Sequence, residues 1–277
     1  MIEIKELDER YLDVSSIKNK VLDIAYGPHE RQKMDVYLPK VINESMPCII
    51  FVHGGGLIKG DKRRYQLKGP LQGLDKGYII IALNYRLAPN DVYPKPFEDI
   101  NAAMRYIRTH YKEYHIDISK LIMWGESAGA LLSMVTSYCS DARFINTDIN
   151  TCSNDFSIHT IVNQYGPTSL LEEYKNTPSK RKLREIQFGL MGEELERILH
   201  DISPINLISK YSPNLIVQHG TADTVVSLEQ ANSLVQRYQE LQIKKLSKLY
   251  IYEGFEHNPD HFFNTVDDIF NKLKRIL

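Results

Sequence analysis

The chain has 277 residues, 43% of them apolar and 25% charged, with a formal net charge of −1. That is enough apolar material for one large core, and a single domain spanning 1–277 is the expectation. Near-neutral charge leaves no electrostatic case for nucleic acid or an anionic membrane as a partner.

The N-terminus, Met1 to Glu6, is charged at once and has no apolar core of a signal peptide. No apolar run approaches the length of a membrane span. Three cysteines (Cys48, Cys139, Cys152) carry no metal-type spacing, and a reducing, cytoplasmic setting is expected. Two strand candidates come first, Val21–Tyr26 and Lys33–Leu38, as an antiparallel edge. From residue 48 onward apolar strands alternate with helical patterns. The strands are Cys48–Val52, Tyr78–Leu83, Leu121–Trp124, Ile158–Gln164, Asn214–Gln218 and Leu249–Tyr252; the helices are Phe97–Tyr111, Ala128–Cys139, Leu228–Leu241 and His261–Leu277. Several strands are unbroken Ile/Val/Leu runs, as in strands buried on both faces of a parallel sheet. The expectation is an α/β fold with a mostly parallel central sheet. Residues 169–203 interrupt the alternation with a charged, helix-patterned stretch too long for a plain connection, and a small helical cap is expected there. The basic runs Lys62-Arg63-Arg64 and Lys180 to Arg184 read as solvated helix faces.

The chemistry concentrates where strands end. Trp124-Gly125-Glu126-Ser127-Ala128-Gly129 stands between a strand and a small-residue helix. In a G-x-S-x-G elbow the serine occupies a sharp turn that lifts its hydroxyl clear of the sheet, with small neighbours letting strand and helix approach. His53-Gly54-Gly55-Gly56 follows the strand ending at Val52. Consecutive glycines allow backbone N–H groups to face a ligand, and an acyl-transfer site needs such donors for its oxyanion. The expected donors are Gly54, Gly55 and Ala128. A phosphate-binding loop is the competing reading, but the required Lys-Ser/Thr is absent. Asp223 follows the strand Asn214–Gln218, and His257 follows Leu249–Tyr252, so Ser127, Asp223 and His257 gather at the carboxyl edge of the sheet. In that order they form a nucleophile, acid and base. The rival acids Glu253, Glu256 and Asp260 lie too near His257 in the chain or start the last helix. His53 is expected to brace the glycine loop, His219 to pack on the Asp223 loop, and Glu126 to serve as a hydrogen-bonding residue. A metal on His257 and His261 is disfavoured by Pro259 and the want of a third ligand. No metal and no cofactor are expected.

Taken together, these motifs resemble the α/β-hydrolase superfamily, and within it the hormone-sensitive-lipase-like carboxylesterases. Asp35-Val36-Tyr37-Leu38-Pro39, Asn84-Tyr85-Arg86-Leu87-Ala88-Pro89, Tyr93-Pro94 and Ser203-Pro204 add to the likeness, which runs from about Val21 to the C-terminus. The resemblance implies an α/β-hydrolase fold, a structural role for Asp99, here read as a helix-start residue, and hydrolysis of small-molecule esters. Leu57 departs from it, standing where an aromatic residue commonly follows the glycines. An amide hydrolase such as an arylformamidase uses the same triad and is the alternative. A degenerate fold serving as a ligand-binding receptor is the reading from outside enzymology.

Overall fold

The computed structural model describes residues 10–139 and 157–277. Cys152 and the Met1 to Glu6 segment lie outside them. Eight strands form one sheet: β1 (Lys20–Ala25), β2 (Lys33–Tyr37), β3 (Met46–Val52), β4 (Ile79–Leu83), β5 (Ile116–Glu126), β6 (Thr160–Gln164), β7 (Asn214–Gly220) and β8 (Ser247–Tyr252). Their spatial order is β1-β2-β4-β3-β5-β6-β7-β8. β2 runs antiparallel to β1 and β4, and every other pairing is parallel. All eight expected strands are present, and the first two form the antiparallel edge.

The unbroken apolar runs have a physical reason. Successive side chains of a strand point to opposite faces, and both faces here are covered. Cys48, Ile50 and Val52 enter one core with Met123 and Ile161; Ile49 and Phe51 enter the other with Trp124 and Val162. The helices are α1 (Lys68–Leu71), α2 (Lys95–His110), α3 (Ala128–Tyr138), α4 (Leu170–Asn176), α5 (Pro178–Phe188), α6 (Gly192–Asp201), α7 (Pro204–Leu207), α8 (Leu228–Glu240), α9 (Pro259–Phe262) and α10 (Val266–Ile276). Residues of α2, α3 and α8 join the first core, while α10 closes the second with Val266, Ile269, Phe270 and Leu273. That i, i+3, i+4, i+7 spacing is one helical face.

Three sequence expectations need correction, and one short helix was not foreseen. The last helix is two: the Thr265 hydroxyl takes the Phe262 carbonyl at 2.9 Å, a local bond that competes with continuing the helix, and a turn separates α9 from α10. The short α1 went unread because Gly69 and Pro70 interrupt its pattern. The basic runs are only partly solvated: Arg181 and Lys182 are exposed, but Lys62 and Arg184 are buried. Lys62 is 3% exposed and pairs with Asp23 at 2.8 Å, while Arg63 grips the buried Asp35 at 2.6 Å; Arg184, also 3% exposed, pairs with Glu173 at 2.5 Å. A buried carboxylate needs such partners, so these charges are spent inside the molecule. Asp99 lies inside α2, fully buried, and receives the Arg86 guanidinium at 2.7 Å and the Gln32 amide at 2.7 Å. It holds the loop after β4 rather than starting a helix.

Candidate active site

β5 carries the nucleophile candidate to the carboxyl edge of the sheet, between β3 and β6. Ser127 turns the chain there with φ 50° and ψ −117°, a left-handed conformation that costs a non-glycine residue on the order of 1–3 kcal/mol. The neighbours make the turn feasible. A Cβ on Gly125 would fall on the Gly129 carbonyl, and one on Gly129 would fall on the Val52 and His53 carbonyl oxygens. Hydrogen bonds then fix the corner: the Ser127 N–H donates to Gln164 O at 3.0 Å, and Ser127 O accepts from Ala130 and Leu131 at 3.0 and 3.2 Å.

β7 and β8 deliver the other two groups. His257 Nε2 lies 2.8 Å from Ser127 Oγ, and His257 Nδ1 lies 2.7 Å from Asp223 Oδ2. Asp223 begins a turn in which its Oδ1 accepts from the Val225 and Val226 N–H groups, each at 2.8 Å. Its side chain is fully buried. Burial works to raise its pKa, but the hydrogen bonds from His219, His257 and Val226 and the His257 charge hold it below the ordinary carboxylate range. An ionised carboxylate only accepts. The proton of His257 therefore sits on Nδ1, leaving Nε2 free to accept from the Ser127 hydroxyl. The structure thus brings all three sequence-predicted groups together, and the rival acids go elsewhere. Asp260 pairs with Arg10 at 2.8 Å, and the exposed Glu256 donates its N–H to His261 Nδ1 at 2.9 Å. Among the described residues no group of three metal-ligating side chains is found.

The glycine loop runs beside the serine. A Cβ on Gly54 would come within 3.3 Å of the Ser127 Cβ, and Gly55 has φ +117°, a conformation that favours glycine. Among the described residues no loop or cap hydrogen bond engages the N–H groups of Gly54, Gly55 or Ala128. His53 braces this loop: fully buried, it stacks on Tyr85 with ring centroids 4.4 Å apart and bonds Gly54 O through Nδ1 at 2.7 Å. Burial, the largest influence, pushes its pKa down to about 3, so it is neutral. Leu57 also has positive φ, 58°, and is buried at 1% exposure. From the region 169–203, Gln187 of α5 donates to Gly56 O at 2.6 Å.

His219 packs on the Asp223 loop in line with the sequence reading, and two further participants, Tyr165 and Gln66, escaped it. His219 gives Asp223 Oδ2 a second imidazole contact at 3.3 Å while bonding Val226 O at 2.9 Å. Tyr165, just past β6, sets its ring edge-on to His257 at 4.7 Å. Gln66 places its amide beside Gly54 and near the Glu126 carboxyl. Only the placement of Tyr165 at a strand's carboxyl end left a signal in the sequence.

An eight-stranded, mostly parallel sheet with an elbow serine at its carboxyl edge and loops of this order defines the α/β-hydrolase class. The BD-FAE family model matches residues 34–238, and the chain belongs to that family. Among curated relatives, Esterase LipC of Mycobacterium tuberculosis is 25% identical over 233 residues, covering 82% of this chain and 57% of that protein. A probable isoprenylcysteine alpha-carbonyl methylesterase of Arabidopsis thaliana, ICMEL1, is 25% identical over 265 residues, covering 92% and 55%. The chain thus spans little more than half the length of these relatives. Solved structures share the fold: a truncated carbohydrate esterase from gut microbiota has a TM-score of 0.77 at 21% identity, covering 95% of this chain and 99% of that one. The propionate-bound esterase Est2 of Thermogutta terrifontis has a TM-score of 0.73 at 20% identity, covering 93% and 96%. Among the described residues no helix is long and apolar enough to cross a membrane.

Proposed function

We propose that this protein is a serine esterase cleaving short-chain carboxylic esters through an acyl-enzyme. One observation carries the reading: the unbroken chain of contacts Ser127 Oγ–His257 Nε2 (2.8 Å) and His257 Nδ1–Asp223 Oδ2 (2.7 Å) on a strained elbow. Ser127 Oγ attacks the ester carbonyl carbon as His257 Nε2 takes its proton. The oxyanion is held by the N–H groups of Gly54, Gly55 and Ala128. When the C–O bond breaks, His257 returns the proton to the departing alcohol. Water, losing its proton to His257, then attacks the acyl carbon, and the proton goes back to Ser127. Asp223 fixes the imidazole tautomer and stabilises the imidazolium.

In this reading residues 1–277 are one hydrolase domain and 169–203 its cap, the Gln187 to Gly56 contact tying that cap to the oxyanion loop. The esterase names of the relatives support ester over amide substrates. Partners are small-molecule esters. A cytoplasmic setting belongs to the same reading, supported by Cys48, a buried free thiol. The test is turnover of a chromogenic acetate ester, together with phosphonate labelling read by peptide mass spectrometry. Turnover with the label on Ser127 is expected; a folded enzyme that turns over no ester, or carries its label elsewhere, rejects the proposal.

A further inference from the structure

Glu126 immediately precedes the nucleophile candidate, and the mechanism above gives it no task. Its side chain turns into the protein and is 3% exposed. Three groups meet around it. The Tyr165 hydroxyl donates to Glu126 Oε2 at 2.6 Å. The Gln66 amide, 8% exposed, lies near enough to favour the ionised carboxyl. The Gln66 amide nitrogen also packs behind the oxyanion loop, 2.9 Å from where a Gly54 Cβ would stand. Tyr165 in turn meets the His257 ring edge-on at 4.7 Å, with an interplanar angle of 68°. One carboxyl group therefore links the loop carrying Gly54 to the ring flanking His257. Among the described residues no lysine, arginine or histidine acts on its carboxyl, and its neighbours Tyr165 and Gln66 are uncharged.

We propose that Glu126 is a positioning residue: as an uncharged carboxylic acid it ties Gln66 behind Gly54 to Tyr165 beside His257, and its ionisation disables the site. The inference rests on the esterase reading for its kinetic arm only. A buried carboxyl without a cationic partner favours its neutral form. Burial, outweighing the Tyr165 hydrogen bond and the Gln66 amide, pushes Glu126 up to about 8. Tyr165 does not share the titration: burial is the main influence holding its phenol well above the ordinary value, with the Glu126, Asp223 and Asp260 carboxylates adding to it. Once ionised, Glu126 places a buried negative charge behind the glycine loop and draws the Tyr165 hydroxyl more tightly to itself. The charge opposes a transition state that is itself gaining negative charge.

Three measurements on the full-length protein test this. In the pH profile of kcat/KM on an acetate ester, wild type is expected to lose about tenfold above about pH 8, the range where Glu126 ionises. Glu126→Gln keeps the size and hydrogen bonding of the neutral acid and should lose that alkaline limb. Tyr165→Phe removes a bond that favours the ionised form and should move the limb to higher pH. Infrared difference spectra between wild type and Glu126→Gln near neutral pH supply a readout independent of turnover. A protonated carboxyl C=O band is expected in wild type alone. An alkaline limb unchanged in Glu126→Gln, or no protonated carboxyl band in wild type, overturns the proposal. Absence of turnover alongside an intact infrared band instead rejects the esterase reading and the kinetic role together, leaving the neutral acid in place. Should Glu126→Gln fail to fold, the direction of the Tyr165→Phe shift decides.

Discussion

Asp223→Asn is the sharpest test of the site, because the surrounding hydrogen bonds dictate which way the new amide must face. Asp223 Oδ1 accepts two backbone N–H groups, from Val225 and Val226, each at 2.8 Å. An asparagine must keep its carbonyl oxygen there, since turning the NH2 toward two donors would leave them unpaired in a buried turn. The NH2 group is thereby forced into the place of Oδ2, 2.7 Å from His257 Nδ1 and 3.3 Å from His219 Nε2. A donor facing Nδ1 selects the tautomer with its proton on Nε2, which cannot accept the proton of Ser127 across 2.8 Å. Loss of the carboxylate also withdraws stabilisation from the imidazolium. Where a triad has been altered in this way the loss is about 10⁴-fold in kcat, or about 5.4 kcal/mol of transition-state stabilisation. The measurement is kcat on a chromogenic butyrate ester, with circular dichroism to verify the fold and Glu256→Gln as the comparison. Glu256 is exposed and its nearest tie to the site is a backbone contact, so its variant should remain close to wild type. A folded Asp223→Asn enzyme within tenfold of wild type, beside an inactive Glu256→Gln, would refute the assignment of the acid.

Ser127→Ala should abolish ester turnover without unfolding the chain, with a residual rate up to about 10³-fold over the uncatalysed reaction from the oxyanion donors; one-tenth of wild-type kcat in this variant would reject the nucleophile. Acyl specificity should favour roughly two to six carbons, each added methylene gaining about 0.8 kcal/mol until the chain meets the pocket wall; faster turnover of a sixteen-carbon than a four-carbon ester on the same alcohol would reject it. Asp99→Ala leaves the Arg86 guanidinium and the Gln32 amide without the carboxylate they share, and should cost about 3–5 kcal/mol in urea unfolding. Glu126 also makes stability depend on pH. Its folded pKa, raised by burial to about 8 from the ordinary 4.5, means the folded state holds a proton the unfolded chain has released. Its contribution is complete below the lower value and declines as pH rises through the upper one. Glu126→Gln should flatten that part of the fall in Tm across the window; an identical slope in wild type and variant would contradict it.

Most of the fold was legible because its determinants are local. Unbroken Ile/Val runs mark strands covered on both faces, and Gly125 and Gly129 mark a close approach that tolerates no Cβ. Asp223 and His257 were legible through topology, since loops after β7 and β8 must share the edge that holds Ser127. The failures share a cause. Lys62, Arg63 and Arg184 read as solvent-facing because a basic run carries no trace of the carboxylates that meet it, and Asp23, Asp35 and Glu173 lie in other parts of the chain. Glu126 read as a hydrogen-bonding residue, but Gln66 and Tyr165 come from separate segments, so no spacing announces them as its surroundings. The break at Phe262 to Thr265 is a local turn, in which the Thr265 N–H and hydroxyl both donate to Phe262 O, and a helical hydrophobic pattern does not register it.

That contrast explains how the site is held. The elbow imposes an unfavourable backbone conformation on Ser127, and such strain persists only where the surroundings over-determine it. Here β3 and β6 flank the strand that carries it, and Gln164 and Ala130 bond its backbone from either side. The loops bearing Asp223 and His257 are tied to each other by two backbone bonds, Thr221 N–H to Tyr252 O and Ala222 N–H to Phe255 O, each at 3.0 Å, short of the support β5 receives on both sides. Buried polar groups complete the alignment: His53 for the glycine loop, His219 for Asp223, and the Glu126 carboxyl between Gln66 and Tyr165. Changing one of these polar supports should therefore disturb kcat and its pH dependence before it disturbs the sheet. Changing a residue of the sheet, such as Phe51 or Trp124, should disturb stability first.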